Sequence, residues 1–167
     1  MLESRDELIA EEIYRNNVTD ITKHMIANSV QSACTTCQNI ISNASAIGIP
    51  RSKLFDTACR LSFILNSILI KSIDENQFSQ LTYDEIYMGH GRPIVHYRSG
   101  NVVFHIKKET SANRLPQGAR YRIEETKGNE QILLFPETVE APPAHMVVTF
   151  NHREFQPIFI QIGMINP

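Results

Sequence analysis

His96 and His105 lie in one short stretch with Arg98, Lys107 and Lys108. Ser99-Gly100 between them is a two-residue hairpin signal with strand-like sequence on both sides. That turn sets Arg98 opposite Asn101, His96 opposite Val103 and Ile94 opposite His105. Strand alternation then defines two faces. Val95, Tyr97, Val102, Phe104 and Ile106 form an apolar face that should meet helices. Arg92, Ile94, His96, Arg98, Asn101, Val103, His105 and Lys107 form the other, with the imidazoles as diagonal neighbours.

Two imidazoles beside a cation are the groups that metal-free RNA cleavage needs. One acts as base, one as acid, and Arg or Lys stabilises the phosphorane. Without turnover the same face suits phosphate, because Arg offers a planar fork and Lys a point charge. Tyr121, nearby in sequence, supplies a ring on which a base can stack. The plain alternative is a solvated sheet face carrying a few charges.

The charge distribution sharpens this. Between His90 and Arg122 stand seven basic residues, Arg92, Arg98, Lys107, Lys108, Arg114, Arg120 and Arg122, against one acid, Glu109. The rest of the chain has nine basic residues against seventeen acids, and the whole carries −2. Such asymmetry implies an anionic partner, or the chain's own acidic part as partner.

Other constellations carry less. Cys34-Thr35-Thr36-Cys37 is a Cys-x-x-Cys placed mid-helix, and Cys59 is the remaining thiol. Zinc needs about four ligands, and a redox pair normally opens a helix. Packing is the expected role of these thiols, with Cys37 in an apolar stripe. His145, His152 and Glu154 have no metal-ligand spacing. Phosphate loops, dinucleotide fingerprints, zinc-protease helices and nucleophile elbows are all missing from the sequence. No metal and no cofactor is expected.

The elements that must position these groups are legible by period. Arg5 to Tyr14 reads as a short amphipathic helix. Thr19 or Asp20 caps a second helix with the stripe Ile26, Val30, Ala33, Cys37, Ile40 and Ala44, ended by Gly48 and Pro50. Ser52 caps a third helix running to about Ile73, apolar on most sides, in which Asn66 needs a partner. Thr82 and Glu85 stand at capping-box spacing, which predicts a short capped turn. From Arg92 the pattern becomes strand, turn, strand. Three sequential hairpins are expected: Arg92 to Lys107, Arg120 to Phe135, and His145 to Met164.

The layout resembles an uncharacterised prokaryotic domain family found in bacterial and prophage genomes. The residues that carry the resemblance are His-Ile-Lys-Lys (His105 to Lys108), Leu-Phe-Pro (Leu134 to Pro136) and His-Met-Val-Val-Thr-Phe (His145 to Phe150), behind a helical front half. The resemblance implies a phage-linked or defence-linked setting and supplies no catalytic residues.

These readings converge on one α+β domain over 1–167. About three helices (1–89) should pack on one face of a mostly antiparallel sheet (90–167). The expected function is a small binding or regulatory protein. Its cationic β surface would use Arg92, Arg98, Lys107, Lys108, Arg120, Tyr121 and Arg122 against nucleic acid or an acidic protein such as a toxin. One alternative is a ribonuclease-type toxin using His96 and His105; another is a structural domain that self-associates. The first residues have no apolar h-region and the longest apolar run is short, so a cytoplasmic protein outside the membrane is expected.

Overall fold

The structure is a computed structural model that describes residues 5–49, 61–75, 80–86, 94–108, 129 and 143–164. The fold is α+β. Among the described residues three helices, α1 (Arg5–Asn17), α2 (Asp20–Ala46) and α3 (Leu61–Glu75), precede five strands. The strands are β1 (Leu81–Ile86), β2 (Ile94–Ser99), β3 (Val102–Lys108), β4 (Ala144–Arg153) and β5 (Gln156–Met164). The sheet order is β1-β2-β3-β4-β5.

Local chemistry explains the helices. The Thr19 hydroxyl accepts from the Thr22 N–H at 3.2 Å and so satisfies one of the free donors at the start of α2. Gly48 takes φ +84 just beyond the helix, where a side chain would be strained. On α2, Ile26, Val30, Ala33, Cys34 and Cys37 are buried. The expected stripe then comes to the surface, because Ile40 is 41% exposed. On α3, Leu61, Leu65 and Leu69 are buried at every fourth position, whereas Phe63 is exposed. The described part of α3 therefore buries one face only. The expected start of that helix, at Ser52, lies outside the described residues.

Two apolar clusters join helices to sheet. One holds Val18, Ile26, Leu69, Leu81, Val95, Tyr97, Val102, Phe104, Ala144, Met146 and Val148. The other holds Val30, Ala33, Cys34, Cys37, Leu61, Leu65 and Phe150. Tyr97 and Phe104 stack with ring centroids 5.7 Å apart. Asn66 finds the partner its half-buried position needs, accepting from the Tyr97 hydroxyl at 2.8 Å. Burial pushes the Tyr97 phenol far up, so it stays protonated and donates.

The sheet corrects three expectations. The segment read as a capped turn at Thr82 to Glu85 is a strand, β1, inside the part of the chain read as helical. Its alternation, with Leu81 and Tyr83 inward and Thr82 and Asp84 outward, outweighs the cap spacing. Second, the hairpin turn is Gly100-Asn101, because Ser99 pairs with Val102 and Tyr97 with Phe104. Gly100 at φ +57 takes the first central position, which glycine fills without strain. The shift is even, so every side chain keeps its expected face. Third, β3 and β4 pair in parallel, Val103 with His145 and His105 with Val147. Of the hairpin expected over 120–135 only Asn129 is described, and it is helical where a strand was expected; the rest lies outside the described residues.

Candidate anion-binding face

The apolar face of β2 and β3 meets the helices as the alternation requires. The opposite face is where the titratable groups gather. Asp84 on β1 pairs with His96 on β2, and Thr82 with Arg98. Across β3 and β4 the parallel register sets Val103 beside His145. Three histidines from three neighbouring strands thus share one face. The His96 and His105 rings lie 6.2 Å apart, nearly parallel at 26°. The His96 and His145 rings lie 6.5 Å apart, edge to face at 73°. Arg98 and Lys107 stand on the same face by alternation.

This face is only partly wet. His105 is 6% exposed and Val103 4%, and Val147 and Thr149 are buried beside them. The centre of the sheet is therefore covered on both sides, as parallel pairing usually demands. Toward the β1 edge the face opens, with His96 half-buried and Arg98 exposed. Arg98 reaches the Asp84 carboxylate at 3.9 Å. Both groups are well exposed, so the pair is weak and a stronger anion can replace Asp84. Part of the basic surface thus meets the chain's own acids.

Asn129 holds the backbone at the third histidine. Its Nδ2 donates to the His145 carbonyl at 2.7 Å, and its Oδ1 accepts from the His145 N–H at 2.7 Å. Odd residues of β4 direct their backbone groups toward β5, but the last described pair there is Met146 with Met164. At His145 the Asn129 carboxamide meets both of these backbone groups, and Asn129 itself is fully buried.

The expected binding residues separate. Arg98 and Lys107 join the histidines. Lys108 does not, because alternation turns it to the helix side of the sheet, where it pairs with Phe150 and acts on Cys34 and His152. Arg92, Arg120, Tyr121 and Arg122 lie outside the described residues. The sequence reading missed Asp84, hidden in a supposed turn, and Asn129, which has no signature beyond being an amide. It also missed that His145 joins the hairpin histidines, since that contact depends on the parallel register.

The thiols sit elsewhere. Cys34 and Cys37 are buried in the second apolar cluster, and both are free. Burial, with Cys37 close by, pushes the Cys34 thiol up to about 11. Among the described residues no group of three or more His, Cys, Asp and Glu is arranged to hold a metal ion. No helix described is long and apolar enough to cross a membrane. No family model, curated protein or solved structure matches the chain.

Proposed function

We propose that this chain is a binding protein that engages the phosphates of a nucleic acid through the sheet face opposite its helices. The observation that carries the reading is exposed Arg98 beside half-buried His96 and His145, with Lys107 on the same face and His105 enclosed behind them. Imidazole and guanidinium donors on a rigid sheet suit an anion with several oxygens. Asp84 marks the spot that an incoming phosphate would take on Arg98. Action in the cytoplasm is part of the proposal; two free thiols three residues apart suit a reducing compartment.

The ribonuclease reading keeps one favourable observation, the 6.2 Å between His96 and His105. It is the weaker reading because His105 is 6% exposed, too enclosed to meet a polymer's phosphate.

The test is anisotropy with labelled duplex DNA and single-stranded RNA over a range of salt. Changing Arg98 and Lys107 together to Gln should weaken binding. It should also flatten log affinity against log salt by about 0.9 per lost duplex contact. Binding that ignores salt, or ignores this variant, would remove the proposal. Negligible nucleic-acid binding, with salt-sensitive capture of an acidic protein on the same two residues, would move the function to that partner. RNA cleavage lost in His96→Ala would restore the enzyme.

A further inference from the structure

The two outer strands of the sheet are unlike. β1 carries Asp84 and Glu85, exposed charges of the kind that keep an edge from pairing. β5 runs Gln-Pro-Ile-Phe-Ile-Gln-Ile-Gly-Met with no charged residue at all. A register shift near Asn151 and His152, with Pro157 opposite, guards only its beginning. From Phe159 to Met164 the strand pairs regularly with β4, and among the described residues no strand pairs with its outer side. Ile158, at the start of that edge, is 60% exposed.

The direction of the backbone groups can be worked out. The Ala144 N–H donates to the Asn101 carbonyl at 3.0 Å, so even residues of β4 bond toward β3 and odd ones toward β5. Val147, Thr149 and Asn151 therefore engage Gly163, Gln161 and Phe159. Ile160 and Ile162 direct their N–H and C=O outward.

We infer that the β5 edge pairs, antiparallel, with the β5 edge of a second copy of this chain, centred on Gln161. An antiparallel partner must match outward residues to outward residues, which sets Ile160 opposite Ile162 of the other copy. Gln161 then meets its own equivalent, and their carboxamides can hydrogen-bond. Phe159 falls opposite Gly163. That match is specific, because a Cβ at Gly163 would meet nothing within 4 Å, and the bare glycine leaves room for the facing ring. Ile158 falls opposite Met164 and is covered. The strand is its own complement in charge, in size and in backbone parity, as a two-fold interface requires. The two-fold axis stands perpendicular to the sheet, so both histidine faces lie on the same side of a ten-stranded sheet. The pairing does not depend on the phosphate reading.

Gln161 gives two tests, because its side chain is exposed and its replacement leaves the monomer's packing intact. Sedimentation of the full chain should show a dimer. Gln161→Lys sets two like charges directly opposite each other and should yield a monomer with unchanged circular dichroism. Gln161→Cys places two thiols at a non-hydrogen-bonded pair, about 4.5 Å between Cα atoms, and should form an intermolecular disulfide on mild oxidation that the wild type does not. Ile47→Lys, at an exposed apolar residue just past the end of α2, should leave the dimer intact. A wild type that stays monomeric at high concentration would overturn the inference. So would a dimer that survives Gln161→Lys without cross-linking through Gln161→Cys.

Discussion

Asn17, the last residue of α1, is fitted against Gly100 at the tip of the β2–β3 hairpin. Its Oδ1 accepts from the Asn101 N–H at 2.8 Å, its backbone carbonyl accepts from the Ser99 hydroxyl at 2.6 Å, and its Nδ2 donates to the Ile13 carbonyl at 2.9 Å. A Cβ at Gly100 would stand 2.5 Å from that same Oδ1. The first helix and the hairpin that carries His96 and His105 are therefore locked together at a single glycine.

Gly100→Ala should thus be destabilising twice over, through φ +57 and through the clash. The expected loss is about 2 kcal/mol, read by urea unfolding. Asn17→Ala removes the clash along with the hydrogen bonds. The double variant should therefore lose less than the sum of the two single ones. Strict additivity would show that the two residues are not coupled.

Asn129→Ala should take from the half-buried N–H and C=O of His145 the partners described above. Each unsatisfied buried group costs about 1–3 kcal/mol. The loss should exceed that of most surface changes and should be accompanied by weaker nucleic-acid binding, since His145 loses its anchor. A neutral result in both assays would mean that Asn129 is dispensable.

The legible part of this fold was whatever depends on period. Helices at Arg5–Asn17 and from Asp20, and the inward set Tyr97, Val102, Phe104, follow from spacing alone. Pairing was less legible. Val102 to Ile106 and Met146 to Phe150 are nearly continuous apolar runs, the pattern of strands covered on both faces. Read that way, they point to a central parallel pair and warn that His105 is enclosed. The expectation of sequential hairpins hid this, because neighbours in sequence are usually neighbours in a sheet. The half-turn of sequence around Thr82 matched a capping box by chance of spacing. His145 reached the site through a register that no local motif encodes.

The β4–β5 turn supplies a third prediction. Glu154 and Phe155 both take positive φ, +50 and +64, where glycine or asparagine normally stands. Glu154 is exposed, and among the described residues its carboxylate makes no ion pair. Glu154→Gly should raise stability by about 0.5–1 kcal/mol, measured as a higher denaturant midpoint. A fall would mean that the carboxylate holds the turn by contacts worth more than the strain.

The fourth prediction concerns acid. His152 Nδ1 accepts from the Phe155 N–H at 3.2 Å, and the ring stacks on Phe155 at 5.1 Å. The other nitrogen therefore carries the proton and is buried without a hydrogen-bond partner among the described residues. Burial, followed by the charge of Lys108, holds the imidazole below its usual value of 6.5. The folded state thus prefers neutral His152 more strongly than the unfolded chain does. Above the unfolded value both states are neutral and the full stability is present. As pH falls below about 6.5 the unfolded chain takes up the proton first, and stability declines until the lowered folded value is passed. A protonated ring also cannot accept from Phe155, so the strained turn loses its clamp. His152→Gln should cost stability at neutral pH and should flatten the decline that sets in below about pH 6.5. A wild type whose melting temperature is level across that window, or a variant that declines just as steeply, would place the acid sensitivity elsewhere in the chain.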